Sequence, residues 1–136
     1  MANLTGSCAC GTVKYEVTSP PLKHAICHCV QCRKATGSAF STNTVVPRPA
    51  FQLIAGVPNT QTYTFIQAES SIPFTLRFCT TCGSTVVKVS EHESFRDVAL
   101  VAAGTADVGF DTLKADTEFW TVHRAGWLGA VEGAVE

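Results

Sequence analysis

Charge is scarce in this chain of 136 residues: 15% of positions are Asp, Glu, Lys or Arg, ten basic against eleven acidic, for a net charge of −1. A nucleic-acid surface needs a basic excess or a Lys/Arg stripe. The longest basic run is Arg33-Lys34, so no nucleic-acid partner is expected. No stretch approaches the roughly 18 apolar residues of a membrane helix, so no membrane partner is expected either. The opening Met1-Ala2-Asn3-Leu4-Thr5-Gly6 lacks the basic and apolar regions of a secretory signal. The expectation is a soluble, cytoplasmic protein, and a reducing compartment leaves thiols free for metal. A Gly-rich phosphate loop and the H-E-x-x-H zinc helix are both missing. So are internal repeats, low-complexity tracts and linkers, which predicts one domain over residues 1–136.

What the chain does have is a globular composition, 46% hydrophobic, enough to bury a core without covalent staples. Residues 12–18 alternate Val13, Tyr15 and Val17 with Thr12, Lys14 and Glu16, the period of a half-buried strand. Further strands are predicted over 24–26, 38–46, 51–54, 60–67, 72–78, 84–90, 98–103 and 119–123, with turn signals such as Gly56-Val57-Pro58-Asn59 between them. Two helical turns fit 30–36, ended by Gly37. The stretch 6–11 reads as a tight loop, and the small, acidic stretch 126–136 is expected to fray. Many short strands and no convincing amphipathic helix predict an all-β domain.

Seven cysteines are the chain's most unusual feature. A disulfide framework would leave one thiol over and expects a short secreted chain. The alternative is metal. Cys8-Ala9-Cys10 and Cys79-Thr80-Thr81-Cys82 each offer two ligands and together make a closed Cys₄ zinc site of the structural type. Gly83 would let backbone N–H groups turn toward the sulfurs. Cys27, Cys29 and Cys32 then offer three ligands from one short stretch, and three protein ligands with one vacant position is the composition of a catalytic zinc site. His28, His24 or His123 as a fourth ligand would close it. Three thiolates make zinc a weaker Lewis acid than histidines do but suit it to exchange a fourth thiolate, which points to a thiol or to an electrophile presented to one. Arg33 and Lys34 either offset that anionic site or form a solvated turn. Asp107 is an acid/base or a turn cap. His123, near Trp120 and Trp127, reads more readily as core packing. Ser38 and Ser41 have no identifiable base.

G-S-C-A-C-G-x-V-x-Y-E-V at 6–17, C-H-C-V-Q-C-R-K-A-T-G-S-A-F at 27–40, F-C-T-T-C-G-S at 78–84, and Ala103-Gly104-Thr105 with Trp127 resemble the glutathione-dependent formaldehyde-activating enzymes, also called the centromere-protein-V-like family. The resemblance covers about residues 4–127. It implies an all-β, Mss4-like antiparallel fold with two zinc ions per chain: one structural, on Cys8, Cys10, Cys79 and Cys82, and one exchangeable and catalytic, on Cys27, Cys29 and Cys32. It also implies carbon–sulfur lyase activity that joins formaldehyde and glutathione into S-hydroxymethylglutathione. Ala9 stands where a histidine is often found in the family, and Ala106 interrupts a frequent G-T-L-D; both leave the zinc ligands in place and bear on the substrate. The expected partner is a small molecule, with glutathione the default thiol and a homo-oligomeric state left open. Two rivals follow: a zinc lyase or isomerase acting on another small carbonyl or hemiacetal without glutathione, and a non-catalytic zinc module that binds a partner. The second requires a closed middle site with no pocket beside it.

Overall fold

The structure, a computed structural model, describes residues 4–136. Ten strands form in chain order: β1 (Leu4–Ser7), β2 (Lys14–Val17), β3 (Lys23–Cys27), β4 (Ser41–Pro47), β5 (Phe51–Ala55), β6 (Thr60–Ile66), β7 (Pro73–Cys79), β8 (Thr85–Val89), β9 (Val98–Ala102) and β10 (Thr117–Phe119), with one α-helix, α1 (Val30–Thr36). The fold is all-β and Mss4-like in kind. A three-stranded sheet runs β1-β2-β5, and a seven-stranded sheet runs β10-β3-β4-β9-β8-β7-β6. Every pairing is antiparallel except β10 on β3.

The period-2 alternation of these strands sorts the seven-stranded sheet into two faces. One face carries Val46, Val87, Ala99 and Val101, which pack with Val13, Tyr15 and Val17 into the core between the sheets. The residues beside them in sequence, Val45, Lys88 and Leu100, point the other way. Register places Val45 opposite Leu100, Leu100 opposite Lys88, and Lys88 opposite Leu76, so a lysine lies in a row of aliphatic side chains. That second face, extended by Ala25 and Cys27 on β3 and Asn43 on β4, is the one that carries the site.

Three expectations change. Leu4–Ser7 is a strand, paired with Lys14–Val17, so the first loop begins later than glycine spacing suggested. The last strand lies at Thr117–Phe119, and Trp120 turns the chain out of it with φ +57 into a 3-10 turn at Thr121–His123. Residues 126–136 dock instead of fraying. Val135 bridges Thr117, Glu118 N–H donates to Val135 O at 2.8 Å, and Val131 N–H donates to Glu118 Oε2 at 2.9 Å. No helix among the described residues is long and apolar enough to cross a membrane.

Candidate active site

Two sulfur clusters form. Sγ of Cys8, Cys10, Cys79 and Cys82 lie within 4.8 Å of one another. Cys8–Cys10 and Cys10–Cys79 stand at 3.6 and 3.7 Å, close to the roughly 3.8 Å edge of a tetrahedron with Zn–S bonds of about 2.3 Å. The donor set and these two spacings fit zinc. Val13 N–H donates to Cys8 Sγ at 3.2 Å, and Asn59 Nδ2 donates to Cys79 Sγ at 3.3 Å. The Ser84 hydroxyl lies 3.2 Å from Cys82 Sγ and, with the Ser84 backbone, pulls that thiol down to about 5. Thr12 lowers Cys10 in the same way. Gly83, at φ +76, turns the Cys79–Cys82 knuckle so that its N–H reaches Cys79 O at 2.8 Å, a conformation that costs glycine least. Asn59 was not visible in sequence as part of this cluster, since it comes from the turn before β6.

The second cluster is Cys27, Cys29 and Cys32, again within 4.8 Å, and no further His, Cys, Asp or Glu joins it among the described residues. Cys27 ends β3. Cys29 caps α1, its Sγ accepting Cys32 N–H at 3.3 Å, and Cys32 lies one turn on, so both thiols face the same side. Gly37, at φ +63, closes the helix by donating to Arg33 O. Hydrogen bonds from Cys27 and then Cys29 pull the Cys32 thiol well below its ordinary range, against burial and helped by the Lys88 charge and the Ser41 hydroxyl. Hydrogen bonds with Cys29 and Cys32, and burial, push Cys27 up.

The three candidate histidines stand away from the cluster. His28, fully buried, meets Glu118 Oε1 at 2.8 Å through Nε2. His24 lies on β3 an odd number of residues from Cys27 and faces the opposite side. His123 pairs with Glu69 at the surface. Arg33 and Lys34 are exposed and line a separate shallow groove with Trp127. The cation at the cluster is Lys88, 8% exposed, whose Nζ lies 3.6 Å from Cys32 Sγ. The sequence analysis missed it, although a lone lysine in Val86-Val87-Lys88-Val89 was the available signal. Asp107 accepts from Ser7 Oγ at 2.9 Å and its N–H bonds Thr5 O, so it pins the β1 end and stands apart from the cluster. Ser41 accepts from Asn43 Nδ2 at 3.0 Å, and Ser38 is an exposed rim residue. Trp120 and His123 are not core: Trp120 lines a cavity, and Trp127 is 79% exposed.

That cavity, about 430 Å³, opens onto all three sulfurs of the second cluster and is walled by Ile72, Phe65, Phe74, Phe95, Phe119 and Trp120. A second, of about 440 Å³, also reaches Cys32 and is bordered by Thr36, Ser38, Ser41, Thr42, Ser84 and Thr85. Cys32, Asn43, Lys88 and Leu100 border both. Cys32 and Lys88 thus border both an aromatic chamber and one that carries hydroxyls, an arrangement suited to bringing an apolar reactant and a polar one to the same point.

The sequence model of a family described as glutathione-dependent formaldehyde-activating enzyme matches residues 3–123. Among solved structures, the chain is similar to the crystal structure of a Rhodobacter sphaeroides protein determined as a structural-genomics target. The TM-score is 0.63 at 20% identity, over 85% of this chain and 98% of that one, a likeness of fold.

Proposed function

The chain belongs to the glutathione-dependent formaldehyde-activating enzyme family, and from that premise we propose that it is a cytoplasmic, single-domain zinc carbon–sulfur lyase. It would add a thiol to a small carbonyl compound and reverse that addition, with glutathione and formaldehyde as the default pair. The observation that carries the reading is the three-sulfur cluster at the floor of a cavity, with no fourth protein donor beside it among the described residues. Cys8, Cys10, Cys79 and Cys82 would hold a structural zinc, and Cys27, Cys29 and Cys32 a catalytic one. Zinc on the second set supplies an exchangeable, Lewis-acidic position.

The chain's own groups account for the rest. The thiol S–H adds across C=O: a C–S bond forms, the S–H bond breaks, and the proton ends on the former carbonyl oxygen. Lys88 Nζ places a positive charge and N–H donors where that oxygen gains negative charge. The aromatic walls lower the local dielectric and so strengthen that interaction. Asn43 Nδ2 is held by Ala25 O at 3.3 Å and by Ser41 Oγ, which leaves its amide oxygen as an acceptor for the product hydroxyl.

The test is a panel of aldehydes, with and without glutathione, on protein of verified zinc content. Wild type should catalyse the addition, and Cys32→Ser should lose activity and one zinc while keeping its circular dichroism. Full activity in Cys32→Ser would overturn the proposal.

A further inference from the structure

The aromatic chamber has no evident task if the carbonyl partner is formaldehyde. At about 430 Å³ it falls within the roughly 300–1,000 Å³ of cavities that enclose drug-sized molecules. A one-carbon aldehyde differs little in size from a water molecule, whose share of liquid volume is about 30 Å³, and would leave nearly all the space to solvent. The walls are also wrong for such a small polar molecule. Four phenylalanines, Ile72 and Trp120 face the space, against a smaller polar set of Asn43, Lys88, Gln67, Ser70 and the three cysteines.

The chamber is also built at a cost in backbone conformation. Two non-glycine residues with positive φ stand out among the described residues, Trp120 at +57 and Ser71 at +61; such conformations are strained and gather at functional sites. Trp120 is itself a wall, and Ser71 lies between the lining residues Ser70 and Ile72. Gln67, buried, spends its side chain on this second segment, accepting Ser70 N–H at 2.7 Å and meeting Glu69. Glu69 then pairs with His123, three residues beyond Trp120, so an ion pair joins the two segments.

We infer that the carbonyl substrate is an aldehyde with an aryl or comparably bulky apolar group. That group would fill the chamber walled by Phe65, Phe74, Phe95, Phe119 and Trp120 while the carbonyl oxygen meets Lys88. The thiol partner enters through the second, hydroxyl-bearing chamber that also borders Cys32. This deepens the lyase reading and rests on it for the chemistry: R–CHO and R′–SH give R–CH(OH)–S–R′, with no change of redox state.

Two measurements separate binding from turnover. Trp127→Phe leaves Trp120 as the sole tryptophan, since the chain has two. Titrating that zinc-loaded protein with 3-phenylpropan-1-ol, which cannot react, should shift Trp120 emission to the blue saturably, while methanol does not. With glutathione, the acceleration over the uncatalysed addition should be greater for 3-phenylpropanal than for formaldehyde by about tenfold or more, the scale on which pocket contacts discriminate. Ile72→Trp, which fills the chamber, should lower that ratio by about tenfold at unchanged zinc content. Turnover of formaldehyde in preference to 3-phenylpropanal, or no saturable shift, overturns the inference and leaves the lyase reading intact. A saturable shift with turnover of neither aldehyde supports the chamber's ligand class and overturns the lyase reading.

Discussion

At the scale of single residues, Lys88 sets the character of the site. An unpaired ammonium in a row of Val45, Leu100 and Leu76 would carry a heavy desolvation cost; here the Cys32 sulfur at 3.6 Å offsets it. The consequence separates function from stability. Lys88→Met should lower kcat by about 10²–10³-fold, the usual loss when a preorganised charge is removed. Its urea midpoint should stay level or rise, because an apolar side chain of similar length suits that row. Steady-state kinetics and urea unfolding on zinc-loaded protein read both. Lys88 was hard to see in sequence because a strand lysine normally faces water. Only the fold, in which Val86, Val87 and Lys88 are all buried, shows that both faces of this strand are covered.

At the scale of elements, β10 and the C-terminal stretch hold the sulfur loop in place. Phe119 O accepts His28 N–H at 3.0 Å, and Glu118, 2% exposed, takes His28 Nε2, Val131 N–H and Arg124. Burial pushes the Glu118 carboxyl up, but its bonds to His28 and Val131 N–H and the Arg124 charge outweigh burial and hold it below the ordinary carboxylate range. The sign follows from that direction. A carboxylate with a lowered folded pKa stabilises the fold above its unfolded value of about 4.3, and the contribution is lost as pH falls below that value through the folded one. Glu118→Gln should therefore cost about 1–3 kcal/mol near pH 7. It should also flatten the acid limb of the stability curve, so that the wild-type advantage shrinks toward pH 3 (about one unit below that ordinary value). Urea midpoints across a pH series check it; an unchanged difference at every pH would remove Glu118 as the source. None of this was legible beforehand, because composition made 126–136 look like a tail, while the parallel pairing of Thr117 with Ala25 and with Val135 gives it a seat.

At the scale of the whole molecule, the first sulfur cluster clamps the two sheets together. Cys8 and Cys10 lie between β1 and β2 of the small sheet, while Cys79 ends β7 of the large one and Cys82 lies in the turn to β8. Other ties across that junction are the Tyr15 Oη–Thr105 Oγ1 bond at 2.9 Å, Asp107 with Thr5 O and Ser7 Oγ, the Gly6–Ala106 bridge, Ala9 N–H on Ser84 Oγ at 3.0 Å, and the packed valines. Structural zinc of this kind is worth on the order of 10 kcal/mol in small domains, comparable with the whole stability of a fold this size. Cys82→Ser should thus lower Tm by at least about 10 °C, given roughly 4 °C per kcal/mol for a chain of this length. Cys32→Ser should shift it far less. Calorimetry with zinc content measured on each variant makes the comparison, and equal shifts would mean that the two clusters do not divide as proposed.

The sequence by itself determined the all-β class, the positions of most strands to within a residue or two, and the grouping of the sulfurs into four and three. All of these are local: alternation with period two, turn residues, and thiols a few positions apart. Tertiary structure alone decided what surrounds the three-sulfur cluster. Phe65, Phe74, Phe95 and Phe119 come from separate strands and loops, and nothing in their spacing says that they face one space beside Cys27, Cys29 and Cys32. Strand register brought them there, and it also aimed Lys88 at Cys32, because pairing across a sheet joins residues that no local pattern connects.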